Sequence, residues 1–157
     1  MHVYADNAAT TKMSAVAINA MLPYFDKVYG NPSSLHSVGQ EAKEALDAAR
    51  ETVAGCLGCE PREIYFTSGG SEADNQAIIS AARFGARKNK KHIISTAFEH
   101  HAVLHTLNKL EKEGYDVTYL DVSKGHNITA QQVEEAIRPD TCLVTVMDAN
   151  NEMDAVL

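Results

Sequence analysis

Three short polar segments of this chain carry groups that could bind and transform a small anionic ligand. Residues 67–71, Thr-Ser-Gly-Gly-Ser, stand just before a helical pattern that begins at Glu72. Adjacent glycines let backbone N–H groups approach a ligand, and a helix start with nearby hydroxyls attracts anions. Residues 99–101, Glu-His-His, offer imidazoles, and residues 148–152, Asp-Ala-Asn-Asn-Glu, offer amides and carboxylates. An ordinary turn with a serine N-cap explains the first segment equally well, and the common nucleotide-binding fingerprints are absent from it.

Alternating strands and helices are predicted around these segments. Apolar and β-prone runs predict strands at 64–66, 92–97, 116–120 and 141–147, the last apolar enough to be buried on both faces. Helical spacing predicts helices at 15–25, 38–57, 72–87, 102–110 and 130–137, with Ser14 and Thr129 as N-caps and Gly58 as a C-cap. This order indicates right-handed βαβ units and a mainly parallel sheet. Ligands bind beyond the carboxyl ends of such strands, so the three polar segments are expected to lie around the opening of one binding cleft.

Composition narrows the class of protein. A chain of 157 residues with 45% hydrophobic content fits a single globular domain spanning residues 1–157, with residues 1–15 as an N-terminal arm. The net charge of −7 argues against nucleic acid as a partner. No apolar run is long enough to span a membrane, and the first residues lack the basic segment followed by an apolar segment that is typical of a signal peptide. Three cysteines without a disulfide framework favour a cytoplasmic location.

Two further motifs have competing interpretations. Cys56-Leu57-Gly58-Cys59 is a C-x-x-C, typical of redox or zinc sites. It ends a predicted helix, where the dipole disfavours a thiolate, and no second ligand pair follows, so core packing is favoured. Lys124 lies in a turn and is a weak candidate for a Schiff-base lysine, while Cys142 opens a strand and is expected to be inert.

The three polar segments, together with Asp6-Asn7-Ala8-Ala9-Thr10-Thr11 and Gly30-Asn31-Pro32-Ser33-Ser34-Leu35-His36, resemble those of pyridoxal-phosphate-dependent cysteine desulfurases of the NifS/IscS type. The motifs occur in the family's order and spacing over essentially the whole chain. The resemblance implies an α/β architecture, the three-layer transferase fold type I. This chain corresponds to the N-terminal arm and a partial large domain with a mainly parallel sheet.

The resemblance also implies roles for individual residues. Gly70 and Ser71 match the pair that binds the phosphate of pyridoxal 5'-phosphate. His100 matches the histidine that stacks on the pyridine ring and assists proton transfer, and Asn151 matches the asparagine near the substrate carboxylate and the ring edge. His101 is expected to be structural, and His105 to lie on a helix face. No metal ligand is implied.

Some family features are altered or missing. Met153-Asp154 stands where the family has Ile-Gly, and Asp148 replaces the commonest residues at its position. The segments that carry the Schiff-base lysine, the nucleophilic cysteine, the pyridine-nitrogen aspartate and the substrate arginine do not occur here. The expectation is therefore part of an enzyme that converts L-cysteine to alanine and a persulfide, inactive by itself. Expected partners are a second copy and an iron–sulfur scaffold or tRNA-thiolation protein. A split enzyme, a non-catalytic dimeric or partner-binding paralogue, and an unrelated phosphate-binding α/β protein are the alternatives.

Overall fold

The computed structural model describes residues 2–121, 128–150 and 155–156, and for residues 150, 155 and 156 it describes only the backbone. The chain forms two compact units, Met1–Phe66 and Thr67–Leu157, which are described separately. Among the described residues, no helix combines the length and apolar character needed to cross a membrane.

The first unit begins with two short helices separated at a proline. α1 spans Ala15–Met21 and starts at Ser14, whose hydroxyl accepts from the N–H of Ala17 at 3.2 Å. α2 spans Pro23–Asp26 with the proline at its first position. Because proline has no N–H to continue the hydrogen-bond ladder, the single helix expected over 15–25 is divided.

α3, the longest helix, spans Ser37–Leu57. Its first turn is capped by the ring of His36, which accepts from the N–H of Gly39 at 3.3 Å. A Cβ at Gly39 would stand 2.6 Å from the carbonyl oxygen of Ser34, so only glycine fits there. Gly58 ends the helix with a φ of 69°, the left-handed conformation that glycine adopts most readily. Both predicted ends of this helix are thus confirmed to within one residue.

Residues 64–66 are not a strand, and that prediction was wrong. A 3₁₀ turn spans Pro61–Glu63, and the chain then runs extended without joining a ladder in the described residues. Tyr65 and Phe66 remain exposed. The backbone carbonyl of Ile64 instead accepts a hydrogen bond from the guanidinium of Arg50. An extended β-prone segment becomes a strand only when another strand pairs with it.

The second unit is built on a parallel three-stranded sheet, as predicted. β1 spans His92–Thr96, β2 spans Asp116–Leu120 and β3 spans Thr141–Val144, in the order β2-β1-β3. β1 pairs in parallel with both neighbours, and all five of its residues are buried. β2 pairs with the whole of β1, whereas the last paired residue of β3 lies opposite Ile94.

β3 is shorter and more exposed than predicted. It was expected to be buried on both faces over 141–147, but its ladder ends at Val144 and its residues are half-buried or exposed. In the described sheet it is an edge strand, so one side has no strand to cover it. A two-residue strand, β4 (Ala149–Asn150), then pairs antiparallel with β5 (Ala155–Val156), which the sequence did not predict.

α4 (Gly70–Ala86) and α5 (His101–Lys112) pack on one face of the sheet. The shared core consists of apolar residues from both helices and β1: Ile78, Ala82, Ile93, Val103, Leu107 and Leu110. Burying each of the larger side chains contributes about 1.5–3 kcal/mol. A Cβ at Gly85 would lie 2.3 Å from the Cβ of Cys142, so glycine permits α4 to approach β3 closely. Packing in this core positions the first turns of α4 and α5.

α6 spans Ala130–Ala136 and closes its own start. The hydroxyl of Thr129 accepts from the N–H of Gln132 at 3.2 Å, and the Gln132 amide oxygen accepts from the Thr129 N–H at 2.8 Å. The capping box satisfies two backbone N–H groups at the start of α6, so these groups are not available to a ligand. The predicted Thr129 cap is confirmed.

Candidate functional site

α4 begins without a side-chain cap. Its N-cap is Gly69, which has no hydroxyl to offer, so the alternative of a serine N-cap was wrong. The first helical hydrogen bond runs from the N–H of Ala73 to the carbonyl of Gly69, at 3.1 Å. The N–H groups of Gly70, Ser71 and Glu72 therefore lie in the open first turn, where helices leave their donors unsatisfied. A Cβ built on Gly69 or Gly70 would meet no atom within 4 Å, so the space beside these two residues is open.

The loop before α4 is held by Glu72. Its Oε2 accepts from both the N–H and the hydroxyl of Ser68, each at 2.7 Å. These bonds, the side-chain bond first, lower the pKa of Glu72, so its carboxylate stays charged at neutral pH. The arrangement differs from a capping box, in which this carboxylate would accept from the N–H of the N-cap residue Gly69 instead of from Ser68. The carboxylate orders the loop and leaves the first-turn N–H groups available.

His100 forms the start of α5. It is the N-cap residue, and its Nδ1 accepts from the N–H of Ala102 at 3.1 Å. Because that bond needs a lone pair on Nδ1, the neutral ring carries its proton on Nε2. The side chain is exposed, and Nε2 has no hydrogen-bond partner in the described part of the chain. The ring is thus fixed at one nitrogen and available at the other.

Ser71 and His100 line the same cavity. Its volume is about 350 Å³, within the range typical of small-molecule sites. The remaining lining residues come from α4 and from the first turns of α5: Asn75, His101, Ala102, His105, Thr106 and Lys109. The expected convergence of residues 67–71 and 99–101 is therefore seen, although residues 67–71 follow no strand.

His101 and His105 have a larger part in the cavity than the sequence suggested. Both side chains are exposed on successive turns of α5, with ring centroids 5.7 Å apart. The centroids of His100 and His101 are 6.3 Å apart, edge to face. The expected place of His105 on a helix face is what the structure shows. Among the described residues no group of three or more histidine, cysteine or acidic side chains is arranged to hold a metal ion.

Glu99 joins the His100 loop to the segment before β4. Its side chain is buried, and Oε1 accepts from the hydroxyl of Thr96 at 3.0 Å and from the N–H of Met147 at 2.8 Å. This contact holds the residue just before the third polar segment against the second segment. Asn151 lies outside the described residues, as do Lys124 and the Met153-Asp154 pair, so the predictions made for them stay predictions.

The prediction of core packing for the C-x-x-C pair was wrong for Cys56, whose side chain is exposed. Cys56 is exposed and Cys59 half-buried at the end of α3, and all three cysteines are free. The Cys142 thiol donates to the carbonyl of His92 at 3.3 Å. Burial raises the pKa of Cys142, which disfavours the reactive thiolate. The interpretation of Cys142 as inert agrees with this environment.

Comparison with known proteins identifies the class. The family model of aminotransferase class-V matches residues 3–156, and the chain belongs to that family. It is 48% identical over 154 residues to the cysteine desulfurase IscS of Methanosarcina thermophila, which covers 98% of this chain and 38% of that protein. The expected resemblance to the N-terminal portion of cysteine desulfurases is thereby confirmed. The chain spans about 40% of the length of the curated relatives it matches.

Solved structures agree with this assignment. A NifS-like protein superimposes with a TM-score of 0.93 at 38% identity, covering 99% of this chain and 43% of that one. A structure of SspA in complex with cysteine gives a TM-score of 0.88 at 43% identity, covering 96% and 43%. The fold is therefore part of the type I transferase architecture with a parallel sheet, as predicted from the sequence.

The family implies pyridoxal phosphate as its cofactor, and the residues present suit such a group. Its phosphate is a dianion, which matches the uncapped N–H groups and the hydroxyl at the start of α4. Its ring is flat and aromatic, which matches an exposed imidazole lining the same cavity. The charged Glu72 carboxylate is held by Ser68, so the fit does not require a ligand to displace it.

Proposed function

We propose that this chain forms the phosphate-binding and ring-contacting part of a pyridoxal-phosphate-dependent cysteine desulfurase. The proposal depends on one observation: Ser71 and His100 line the same cavity. Ser71 lies in the first turn of α4, which has no side-chain cap, and His100 caps the first turn of α5. The relatives it resembles at 47–48% identity are cysteine desulfurases, which supports the same reaction class.

In the proposed reaction, the sulfur of L-cysteine passes to a thiol of the enzyme. The carbon–sulfur bond breaks, a sulfur–sulfur bond forms, and the products are L-alanine and an enzyme persulfide. When bound, pyridoxal phosphate supplies an electron sink for this cleavage. The thiol and the cofactor-linking lysine belong to segments that have no counterpart in this sequence, so the chain alone is proposed to be inactive.

This chain's own residues have binding and proton-handling roles in the proposal. The N–H groups of Gly70 and Ser71, with the Ser71 hydroxyl, hold the phosphate through charge-assisted hydrogen bonds. His100 lies against the ring and presents Nε2–H, because Nδ1 is engaged by Ala102. Asn151 is assigned by resemblance to the substrate carboxylate and the ring edge. An amide there donates a hydrogen bond without adding charge.

The proposal extends to assembly and location. A homodimer, an iron–sulfur scaffold or tRNA-thiolation partner, and a cytoplasmic location come from the resemblance and from the absence of a disulfide framework. The first unit supports association, because large apolar side chains stand exposed on it, including Val16, Phe25, Tyr29 and Leu35. Sedimentation at micromolar concentration is expected to give a dimer or larger species; a compact monomer would contradict this part of the proposal.

Binding of a cofactor analogue tests the phosphate site directly. Pyridoxamine 5'-phosphate is the best probe, because it has no aldehyde to react with surface lysines. The 157-residue chain is expected to bind it more tightly than it binds pyridoxamine, which has no phosphate. Ser71→Ala is expected to weaken binding about fivefold, since one hydroxyl bond to a charged group is lost while the backbone donors remain. Equal binding of the two analogues would count against the proposal, and Ser80→Ala is the control on the exposed face of α4.

A turnover assay tests the second part. The purified chain mixed with pyridoxal phosphate and L-cysteine is expected to release no sulfide above the level produced by free pyridoxal phosphate. Turnover at the rate of an enzyme would show that the residues described here suffice, and the assignment of the missing groups would then be wrong.

A further inference from the structure

We infer that Asn75 and Thr106 are positioning residues that hold Ser71 and His100 in register across the cavity. The inference rests on the proposed function, since it explains how two helices keep the phosphate site and the ring histidine at a fixed separation. Neither residue stands out in the sequence, because they are 31 positions apart and belong to different helices.

The first link lies within α4. The side-chain amide of Asn75 donates to the backbone carbonyl of Ser71 at 2.6 Å. Ser71 and Asn75 are one helical turn apart, so the amide lies directly against the turn that carries the open donors. A change in the Asn75 side chain is therefore transmitted to the backbone of Ser71.

The second link joins the two helices. The hydroxyl of Thr106, which is 3% exposed, donates to the amide oxygen of Asn75 and also lies 2.9 Å from the carbonyl oxygen of Ala102. Among the described residues this is the only side-chain hydrogen bond between α4 and α5. The apolar core that the two helices share places no directional constraint on their sliding.

The third link reaches the histidine. The N–H of Ala102 donates to Nδ1 of His100 at 3.1 Å, so the residue whose carbonyl meets Thr106 also fixes the imidazole. A series of contacts, in which the single hydroxyl proton of Thr106 is shared between the Asn75 amide oxygen and the Ala102 carbonyl, thus runs from Ser71 through residue 102 to His100. Buried networks of this kind specify one geometry when every member has a partner.

The chemistry of the series requires an amide at position 75. Asparagine donates to one carbonyl and accepts from one hydroxyl at the same time, which an aspartate cannot do. In Asn75→Asp a carboxylate oxygen would face the Ser71 carbonyl, next to the proposed phosphate. We expect this variant to weaken analogue binding more than tenfold, both by displacing the first turn and by adding charge.

Thr106 gives the sharper test, because its substitutions separate hydrogen bonding from packing. Thr106→Val keeps the shape but removes the donor, leaving the amide oxygen of Asn75 unsatisfied; Thr106→Ser restores the donor with less volume. In the 157-residue chain, Thr106→Val is expected to weaken pyridoxamine 5'-phosphate binding about tenfold, and Thr106→Ser to stay within about twofold of the original chain. Asn108→Ala, at an exposed position of the same helix, is the matched control and is expected to bind normally.

A second readout follows the histidine itself. Nitrogen NMR of the imidazoles is expected to show His100 with its proton on Nε2 in the original chain and in Thr106→Ser, and a mixture of tautomers in Thr106→Val. If Val and Ser variants match in both binding and tautomer, the inference is wrong. If Thr106→Val fails to fold by circular dichroism, Asn75→Asp decides the question, and normal binding by that variant overturns the inference.

Failure of the proposed function would look different. If the original chain binds no pyridoxamine 5'-phosphate, the assignment of the site fails, while the tautomer of His100 still reports whether Asn75 and Thr106 hold the ring. A change of tautomer in Thr106→Val without one in Thr106→Ser would then support the inference alone.

Discussion

The two ends of β1 each carry a histidine, and the fold uses them in opposite ways. His92, the first residue of the strand, is fully buried, with Nδ1 2.7 Å from the hydroxyl of Thr141 and Nε2 2.9 Å from that of Thr118. His100, four residues beyond the strand's last residue, is exposed, and its ring hydrogen-bonds through Nδ1 alone within the described ranges. The His92 imidazole connects three strands, whereas the His100 imidazole has one nitrogen available to a ligand.

The difference lies in the neighbours. At the amino end, the N–H of Arg138 donates to the Thr141 hydroxyl at 2.8 Å, which directs the hydroxyl proton toward Nδ1 of His92. The Arg138 guanidinium also pairs with Asp116 and with Asp140 at the surface. At the carboxyl end, the first-turn N–H groups of α4 and Nε2 of His100 have no hydrogen-bond partner among the described residues, so binding capacity is concentrated at this end of the sheet.

The largest expected effect is at the amino end. His92→Leu keeps much of the volume but leaves two threonine hydroxyls without their partner, so the free energy of unfolding is expected to fall by about 2–3 kcal/mol. Urea unfolding measures this change. Affinity for pyridoxamine 5'-phosphate in the folded chain is expected to stay within about twofold. A large loss of affinity would mean that the two ends are coupled; His2→Leu, at an exposed position, is the control.

At the start of α4, we expect a large effect on affinity and little effect on stability. Gly69→Asp supplies the absent cap and a negative charge, and the extended backbone and open space at this position accept a side chain. Affinity for the phosphate analogue is expected to fall more than tenfold, about 1.4 kcal/mol, while stability is unchanged or rises by a few tenths of a kcal/mol. Gly69→Ala adds a Cβ without a charge and is expected to bind normally. Comparable losses in both variants would point to backbone strain instead of competition for the donors.

A smaller effect is expected from one hydroxyl of the amino-end network. Thr118→Val removes the partner of Nε2 of His92 and leaves the Thr141 bond in place, so the loss of stability is expected to be about 1 kcal/mol. Denaturant midpoints of the single and double variants with His92→Leu measure the coupling. Full additivity of the two changes would show that the 2.9 Å contact contributes nothing.

The smallest expected effect is a dependence on pH. Burial, followed by the charge of Arg138, lowers the pKa of His92 below its ordinary value of 6.5. The unfolded chain then binds more protons than the folded one between the two pKa values, so stability is full above pH 6.5 and declines as the pH falls through that window. The slope of the unfolding free energy between pH 7.5 and 5.5 is expected to be reduced in His92→Leu. An unchanged slope would assign the dependence to other groups.

Much of the fold follows from local sequence, and the two strand predictions that were wrong share one cause. Ser14, Gly58 and Thr129 determine helix ends through contacts within a few residues, and the periodicity of 92–96 and 116–120 identifies two strands. Pairing between distant segments is not encoded in this way. Residues 64–66 have strand composition without a partner in the described sheet, and residues 141–144 have core composition at an edge.

The site shows the same division. Residues 67–71 and 99–101 could be singled out from local composition, and the family resemblance then pointed to Gly70, Ser71 and His100 within them. Asn75 and Thr106 could not, because their roles come from a contact between helices that no spacing predicts. The roles of Gly70, Ser71, His100 and Asn151 toward the cofactor stay predictions until the binding experiments are done.

The cap at the start of α5 limits what His100 can do with protons. A neutral ring already carries hydrogen on Nε2, so an incoming proton has only the Nδ1 lone pair to occupy, and that pair holds the N–H of Ala102. Forming imidazolium would therefore fray the first turn of the helix. Hydrogen exchange of the Ala102 amide is therefore expected to become faster when the ring is charged. The exchange rate at this helix end would then report the charge state of His100.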